Sequence, residues 1–462
     1  MSDATERQHP SLTFAILALA GGSYALLQSL VAPALPDVQH ALHTSENSVS
    51  WVLTSYLLSA SVATPLIGRL GDMYGKERLL MIVLALLSVG TLISAAATSL
   101  PLMLVGRVNQ GAAGGIFPLA FGIIRDEFPR ARVAGAIGLM SALLGVGGGA
   151  GVVLAGPIVD NLSFHYLFWL PLIPVVAATV LTHFFVPESP VRVPGRVNWT
   201  GALLMSLGLA AVLVAVSETP MWHWLSAKTI GTIAAGVVLL ALWVRSESHS
   251  SMPLVDMRMM RIRGVWTTNL TAFLLGAGMY SSFIVFPQFA QLPKSTGFGF
   301  GASVVVSGLY LLPSTAGMVG IGFASGAIAR RFGSKRAAVT GSAITAVAFG
   351  YLAAAHGHPY DLLVSAALLG VGIGLAFAAL GNLIVQAVDA HQTGAAGGMN
   401  TVMRTIGGAI GGQIVASLIA AHLGGDGLPA VTGFTYSFVL AAAFLVVSAC
   451  AGLLVPLEGK AA

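Results

Sequence analysis

The chain has 462 residues, of which 56% are hydrophobic and 8% are charged, with a mean hydropathy of +0.86. An ordinary soluble domain is about 25% charged and could not cover so much apolar surface with so few charges, which excludes a soluble globular protein. The single cysteine, Cys450, excludes an intramolecular disulfide and a cysteine metal cluster, and the formal net charge of +5 says less than the distribution of Lys and Arg.

A helix rises about 1.5 Å per residue, so roughly 20 apolar residues cross a hydrocarbon core of about 30 Å. The first apolar run contains Ala18-Leu19-Ala20, which mimics a signal-peptidase site. It continues from Leu12 to Val31 with no polar region before that point, so it predicts a retained first span over 12–34. Thirteen further runs follow at 49–70, 79–98, 101–124, 133–157, 164–187, 199–218, 228–246, 265–290, 302–326, 337–355, 360–387, 394–421 and 433–456.

With both termini cytoplasmic, alternate loops are cytoplasmic too, and the cations can be counted against that arrangement. Those loops hold Arg69, Lys76, Arg78, Arg125, Arg130, Arg132, Arg192, Arg196, Arg245, Arg258, Arg261, Arg263, Arg330, Arg331, Lys335 and Arg336, and the tails add Arg7 and Lys460. Of the 22 cations only Lys228 and Lys294 fall in outer loops, while Arg107 and Arg404 lie within spans. That asymmetry follows the positive-inside rule for fourteen spans with both ends inside.

The 68–80 stretch, GRLGDMYGKERLL, is unusually rich in charge, and a topology signal needs neither its glycines nor its aspartate. A second stretch, GAIARRFGSKRAA from Gly326, aligns with it at an offset of 258, pairing Gly68 with Gly326, Gly75 with Gly333 and Arg78 with Arg336. Similar offsets pair Pro36 with Pro293, Gly111 with Gly370, Gly115 with Gly374, Gly135 with Gly394 and Gly138 with Gly397. A constant offset predicts a duplicated six-helix unit. The N-terminal bundle takes 1–190, a two-helix insertion with its flanking cytoplasmic loops takes 191–262, and the C-terminal bundle takes 263–462.

Gly68, Asp72, Gly75 and Arg78 match G-x-x-x-D-x-x-G-x-x-R, and Arg107 with Gln110 matches R-x-x-Q-G. With the PESPVRVPGRVNWTG link and the glycine-rich TGAAGGMNTVMRTIGGAIGG, the chain resembles the fourteen-helix drug efflux branch of the major facilitator superfamily. The resemblance implies an all-α membrane protein whose two six-helix bundles, plus two inserted transmembrane helices, alternate access to a midplane site. Glycines at 68 and 75 would let helix ends approach closely, and Asp72 would accept hydrogen bonds from a helix N-terminus, so the stretch reads as a gate latch closing the cytoplasmic side.

Several positions depart from that family. Its proton-driven exporters usually carry an aspartate in the first helix, where this chain has Gln28, and no acid falls in mid-span. The helix-five glycines Gly138, Gly147, Gly151 and Gly156 predict close helix packing, but the expected proline after Gly151 is Val152. Arg107 and Gln110 are coupling candidates by resemblance, with structural pairing as the other reading. His165 stands where an arginine is expected and reads either as a substitute proton carrier or as an interfacial residue among Phe164, Tyr166 and Trp169. Candidate cavity residues are Tyr24, Gln28, Ser29, Tyr56, Asn269, Tyr280, Gln288, Asn400 and Arg404, where Arg404 either lines the cavity or snorkels. Amides and aromatics without carboxylates suit neutral or anionic amphiphiles better than lipophilic cations.

These features predict a multi-pass transporter of the cytoplasmic membrane that exports small amphipathic compounds, with the proton gradient as energy source. A proton-independent facilitator or uptake transporter of a neutral or anionic metabolite is the alternative, favoured by Gln28. No catalytic residue, cofactor or metal is expected, since H-E-x-x-H, G-x-S-x-G and paired mid-span carboxylates are all missing. The partners expected are a small-molecule substrate and the lipid bilayer, with no nucleic acid and a monomer as the working unit.

Overall fold

A computed structural model describes residues 10–189, 198–250, 253–424 and 428–456. Arg7, Arg192, Arg196 and Lys460, and most of the link before span seven, lie outside the described residues.

The first half comprises α1 (Pro10–Leu30), α2 (Leu35–Ala41), α3 (Glu46–Tyr74), α4 (Lys76–Ala95), α5 (Leu100–Gly111), α6 (Ile116–Glu127), α7 (Arg130–Asn161) and α8 (Tyr166–Phe185). Next come α9 (Trp199–Ser217), α10 (Thr219–Trp222) and α11 (Ala227–His249). The second half comprises α12 (Met257–Arg261), α13 (Arg263–Gln291), α14 (Val304–Leu309), α15 (Leu312–Phe332), α16 (Ser334–Ala354), α17 (Pro359–Gln386), α18 (Thr393–Ala421) and α19 (Val431–Leu453). Among the described residues no extended sheet forms, and thirteen helices are long and apolar enough to cross a membrane. In a bilayer the backbone must satisfy its own hydrogen bonds, which a helix does within one segment.

The run expected at 101–124 is not one unbroken helix. It forms α5 and α6, twelve residues each, joined by a 3₁₀ turn over Ala112–Gly115 whose flanking residues keep right-handed helical angles. The tightening occurs where small residues press on α3: a Cβ on Gly111 would stand 2.6 Å from Ser59 Cβ, and one on Gly115 would stand 2.7 Å from Ile67 Cβ.

The halves repeat each other in their packing. In the first, α1 lies against α7 and α8, and α4 against α5 and α8; in the second, α13 lies against α18 and α19, and α16 against α17 and α19. Gly75 at φ +114° ends α3 and opens α4 without a spacer, and Gly333 at φ +79° does the same for α15 and α16. Both turns need left-handed backbone, which glycine adopts without a Cβ clash.

Between halves, α7 packs on α15 and α17, and α18 packs on α3 and α6. The hydrophobic cluster centred on the first half takes in Ile384, Val385, Val388, Ala396 and Met399 from the second, so the core is continuous where these helix ends meet. α9 and α11 form a hairpin that leans on α3 and α18 through α9. The hairpin is anchored by Glu247, 2% exposed, which accepts hydrogen bonds from Asn198 Nδ2 at 3.1 Å and Val255 N at 3.3 Å.

The four helix-five glycines divide between two neighbours. Gly147 and Gly151 seat α7 on α1 beside Ala25, Leu26, Ser29 and Leu30, while Gly138 faces Ser325 and Gly156 faces Val305 of the second half. A Cβ on Gly147 would lie 2.9 Å from the Leu26 backbone nitrogen, which cannot yield as a flexible side chain could. Gly147→Val should therefore cost about 1–3 kcal/mol through overpacking. A lowered thermal-unfolding midpoint in detergent is the expected result, and an unchanged midpoint would show that α1 and α7 can separate freely.

Candidate functional site

At the end of the molecule that carries the α3–α4 turn, α3, α6 and α7 meet α15, α17 and α18. Asp72, 1% exposed, accepts a hydrogen bond from the backbone N–H of Ala395 at 3.2 Å, in the first turn of α18. A carboxylate there is favoured both by the bond and by the helix dipole. The contact exists because the neighbouring backbones touch: a Cβ on Gly68 would stand 2.8 Å from the Gly394 carbonyl carbon. The same end is tied by Arg125, which donates to Thr393 Oγ1 at 2.6 Å and to the Val388 carbonyl at 3.0 Å, and by Asn382, which donates to the Ala134 carbonyl at 3.1 Å. Gly135 and Gly326 meet backbone to backbone nearby.

The four gate candidates divide in role. Gly68 and Asp72 touch the other half, whereas Gly75 shapes the turn and Arg78, 64% exposed, points to Glu188 Oε2 at 3.7 Å within its own half. Lys76 is the cation beside Asp72, at 4.0 Å from its Oδ1, and it bonds Asp126 at 2.7 Å and Ser189 at 3.3 Å. Lys76 and Arg125 were counted only as topology signals, and nothing in their local sequence distinguishes them from the other loop cations. In the second half the position equivalent to Asp72 is Arg330, so this carboxylate has no counterpart there.

A second polar cluster occupies the middle of the bundle. Arg107 is fully buried and donates to the Val52 carbonyl at 2.9 Å, Gln110 Oε1 at 2.6 Å and the Leu27 carbonyl at 3.4 Å, with its guanidinium 4.2 Å from the Tyr56 ring centroid. Gln110 in turn donates to Thr91 Oγ1 at 3.1 Å. Arg107 thus knits α5 to α1 and α3 inside the first half, through carbonyls and a π face.

Tyr24 stacks on Tyr56 with centroids 5.8 Å apart. Gln28 Nε2 reaches across the halves to donate to the Tyr280 hydroxyl at 3.3 Å. Arg404, 8% exposed, lies 4.6 Å from the Phe377 ring centroid, with the Tyr280 and Tyr24 phenols as its electrostatic neighbours. Tyr24, Gln28, Tyr280 and Arg404 are therefore brought together at the junction of the halves. Phe377 belongs with them and was not anticipated, because an apolar residue in an apolar helix carries no distinguishing signal.

Other candidates stand apart. Asn400 donates to Asn269 Oδ1 at 3.0 Å, so these two bury each other's amides between α18 and α13. Ser29 donates to the Gly147 carbonyl at 2.9 Å, and Gln288 is exposed. His165 lies in the α7–α8 connection, 3.2 Å from the Ala97 carbonyl, 3.3 Å from Ser163 Oγ and beside the Phe164 ring. Among the described residues no group of three His, Cys, Asp or Glu side chains could hold a metal ion.

The family model described as Major Facilitator Superfamily matches residues 17–412 and, a second time, residues 268–461. The chain belongs to the Major Facilitator Superfamily. It is 28% identical over 426 residues to the tetracenomycin C resistance and export protein of Streptomyces glaucescens, covering 90% of this chain and 77% of that protein. It is 28% identical to multidrug resistance protein Stp of Mycobacterium tuberculosis, covering 85% of this chain and 73% of that one, and 28% identical to the drug efflux pump JefA of the same species, covering 86% and 78%. The fold also matches solved structures of the human organic anion transporter MFSD10 (TETRAN), at a TM-score of 0.69 and 15% identity over 97% of this chain and all of that one, and of the proton:xylose symporter XylE. For XylE the TM-score is 0.68 at 13% identity, covering 97% and 96%. This superfamily member is a multi-pass membrane transporter of a small molecule.

Proposed function

We propose that this transporter exports small amphipathic, drug-like compounds from the cytoplasm by alternating access, as a proton antiporter of the fourteen-helix branch. The observation that carries the proposal is the latch: Asp72 on the first turn of α18 ties the two halves together at one end of a bundle whose middle holds a polar cluster between them. The export relatives at 28% identity support the direction. The broken α5–α6 run supplies the fourteenth crossing, the α3–α4 turn faces the cytoplasm together with both termini, and residues 1–190, 191–262 and 263–462 act as bundle, insertion and bundle.

Proton coupling is tested by adding candidate substrates to proteoliposomes containing a pH-sensitive dye. Proton movement on addition of a compound is the expected outcome, and it directs the search for the carrier to Asp72, Arg107 and His165. Substrate flux without proton movement would instead support a facilitator, a reading favoured by Gln28 at the position where exporters of this kind carry an acid.

A further inference from the structure

Within the central cluster, one largely buried cation has no hydrogen-bond or ion-pair partner among the described residues. Arg404 lies on α18, 8% exposed and flanked by Phe377, and among the described residues its guanidinium makes no hydrogen bond and no ion pair. Arg107 differs: it donates to two carbonyls and an amide oxygen within the first half, which leaves only its Nη2 buried without a partner, whereas the Arg404 nitrogens retain accessible surface that a ligand can reach. Tyr24 lies within electrostatic reach of both arginines, and Tyr280, whose hydroxyl accepts from Gln28 across the halves, lies within reach of Arg404. Among the described residues the central cluster therefore carries two formal positive charges, Arg107 within the first half and Arg404 at the junction, and neither pairs with a carboxylate.

A guanidinium presents five donors in a planar fork that suits a carboxylate, and a charge buried away from water needs a partner. An intramembrane ionisable residue facing a bundle interior marks a substrate or ion pathway by default. The Phe377 ring lies 4.6 Å from the Arg404 guanidinium, the Tyr24 and Tyr280 phenols act on it electrostatically, and Phe283 is edge-on to Tyr280 at 5.9 Å. An anion bound here would be one carrying an apolar body, and a small inorganic ion would leave those ring faces uncovered.

We propose that Arg404 is the anion-binding residue of the substrate site, and that the substrate is an amphiphile bearing a carboxylate or an acidic phenol whose aromatic body rests on Tyr24, Tyr280 and Phe377. The Gln28–Tyr280 hydrogen bond joins the two halves at one of the phenols that act electrostatically on Arg404. The proposal deepens the export reading and rests on it, and the site makes the chain a poor host for lipophilic cations.

The test uses three matched fluorescent probes, a dansylated carboxylate, its methyl ester and a dansylated quaternary ammonium, with the full chain in lipid nanodiscs. The parent chain should bind the carboxylate at least about tenfold more tightly than the ester, as a hydrogen bond to a charged group requires. Arg404→Gln should reduce the carboxylate to the affinity of the ester while leaving the ester unchanged, and Arg404→Lys should restore part of the difference. An unchanged carboxylate-to-ester ratio in Arg404→Gln overturns the proposal. Should Arg404→Gln not fold, Gln28→Asp decides, because a carboxylate placed beside Tyr280 should repel the dansylated carboxylate and admit the ammonium; no change in either overturns the site. Flux of the same probes in proteoliposomes separates the two levels. Arg404-dependent binding without transport of any probe overturns export and leaves the anion site, whereas transport of ester and ammonium ahead of carboxylate overturns the site and leaves export.

Discussion

Asp72→Asn should slow transport by about two- to thirtyfold while leaving substrate affinity within about threefold of the parent, a separation set by its distance from the central cluster and by the energy of an anion at a helix N-terminus. The carboxylate is buried, accepts from the Ala395 N–H and faces Lys76 at 4.0 Å. Asparagine retains an oxygen that can accept the same hydrogen bond, but it loses the charge that the α18 dipole and Lys76 both favour. A carboxylate in this position contributes about 0.3–2 kcal/mol, so the closed end should open more readily and the return step should become limiting. Binding of a fluorescent substrate to the purified variant and its flux in proteoliposomes report the two quantities separately. Unchanged flux would remove Asp72 from the gate.

Gly68→Val should block closure of the same end more completely than loss of the charge. At Gly68 the obstacle is the Gly394 backbone, with its carbonyl carbon 2.8 Å from an added Cβ, so no side chain can rotate aside to make room. Small residues at such crossings let helix backbones meet, and a branched side chain pushes them apart along the whole contact. Ser141, 5% exposed and facing Gly381 of α17, lies about two turns along α7 from Ala134 and reports on that separation. In a Cys450→Ser background, Ser141→Cys should resist a membrane-impermeant thiol reagent in the parent and react in Gly68→Val, with transport lost. Equal protection in both would show that the end closes around the valine. A matching Gly394→Val should behave the same way, because its Cβ would meet the Gly68 carbonyl and the Asp72 carboxylate.

The four motif positions of the α3–α4 stretch show what a local pattern conveys. The spacing of Gly68 and Asp72 reads as a gate latch, and the structure places both residues against α18. Arg78 belongs to the same pattern yet pairs with Glu188 at 3.7 Å in its own half, since the turn at Gly75 points it away from the interface. Lys76, one residue beyond the turn, takes the place beside Asp72 instead. Of the nine cavity candidates, Tyr24, Gln28, Tyr280 and Arg404 gather at the junction, while Tyr56 lies under Arg107, and Asn269 and Asn400 satisfy each other.

Composition and apolar run length by themselves determined that the chain is a multi-pass membrane protein and where most of its apolar helices lie, because burial in lipid demands long apolar helices, and the constant offset between its two charged glycine turns pointed to a repeat. The presence of Arg107 and Arg404 inside spans was equally plain, as a charge in an apolar run needs no contact to be noticed. Only the tertiary structure decided that Arg107 is held by carbonyls of α1 and α3 whereas Arg404 stands over Phe377 without a polar partner among the described residues. It also decided that α5 and α6 part at Ala112–Gly115, where α3 presses against glycines. The physical reason is the same in both cases: which groups satisfy a buried charge, and which backbone yields to a neighbour, depend on helices that are distant in the chain and adjacent only once the bundle has packed.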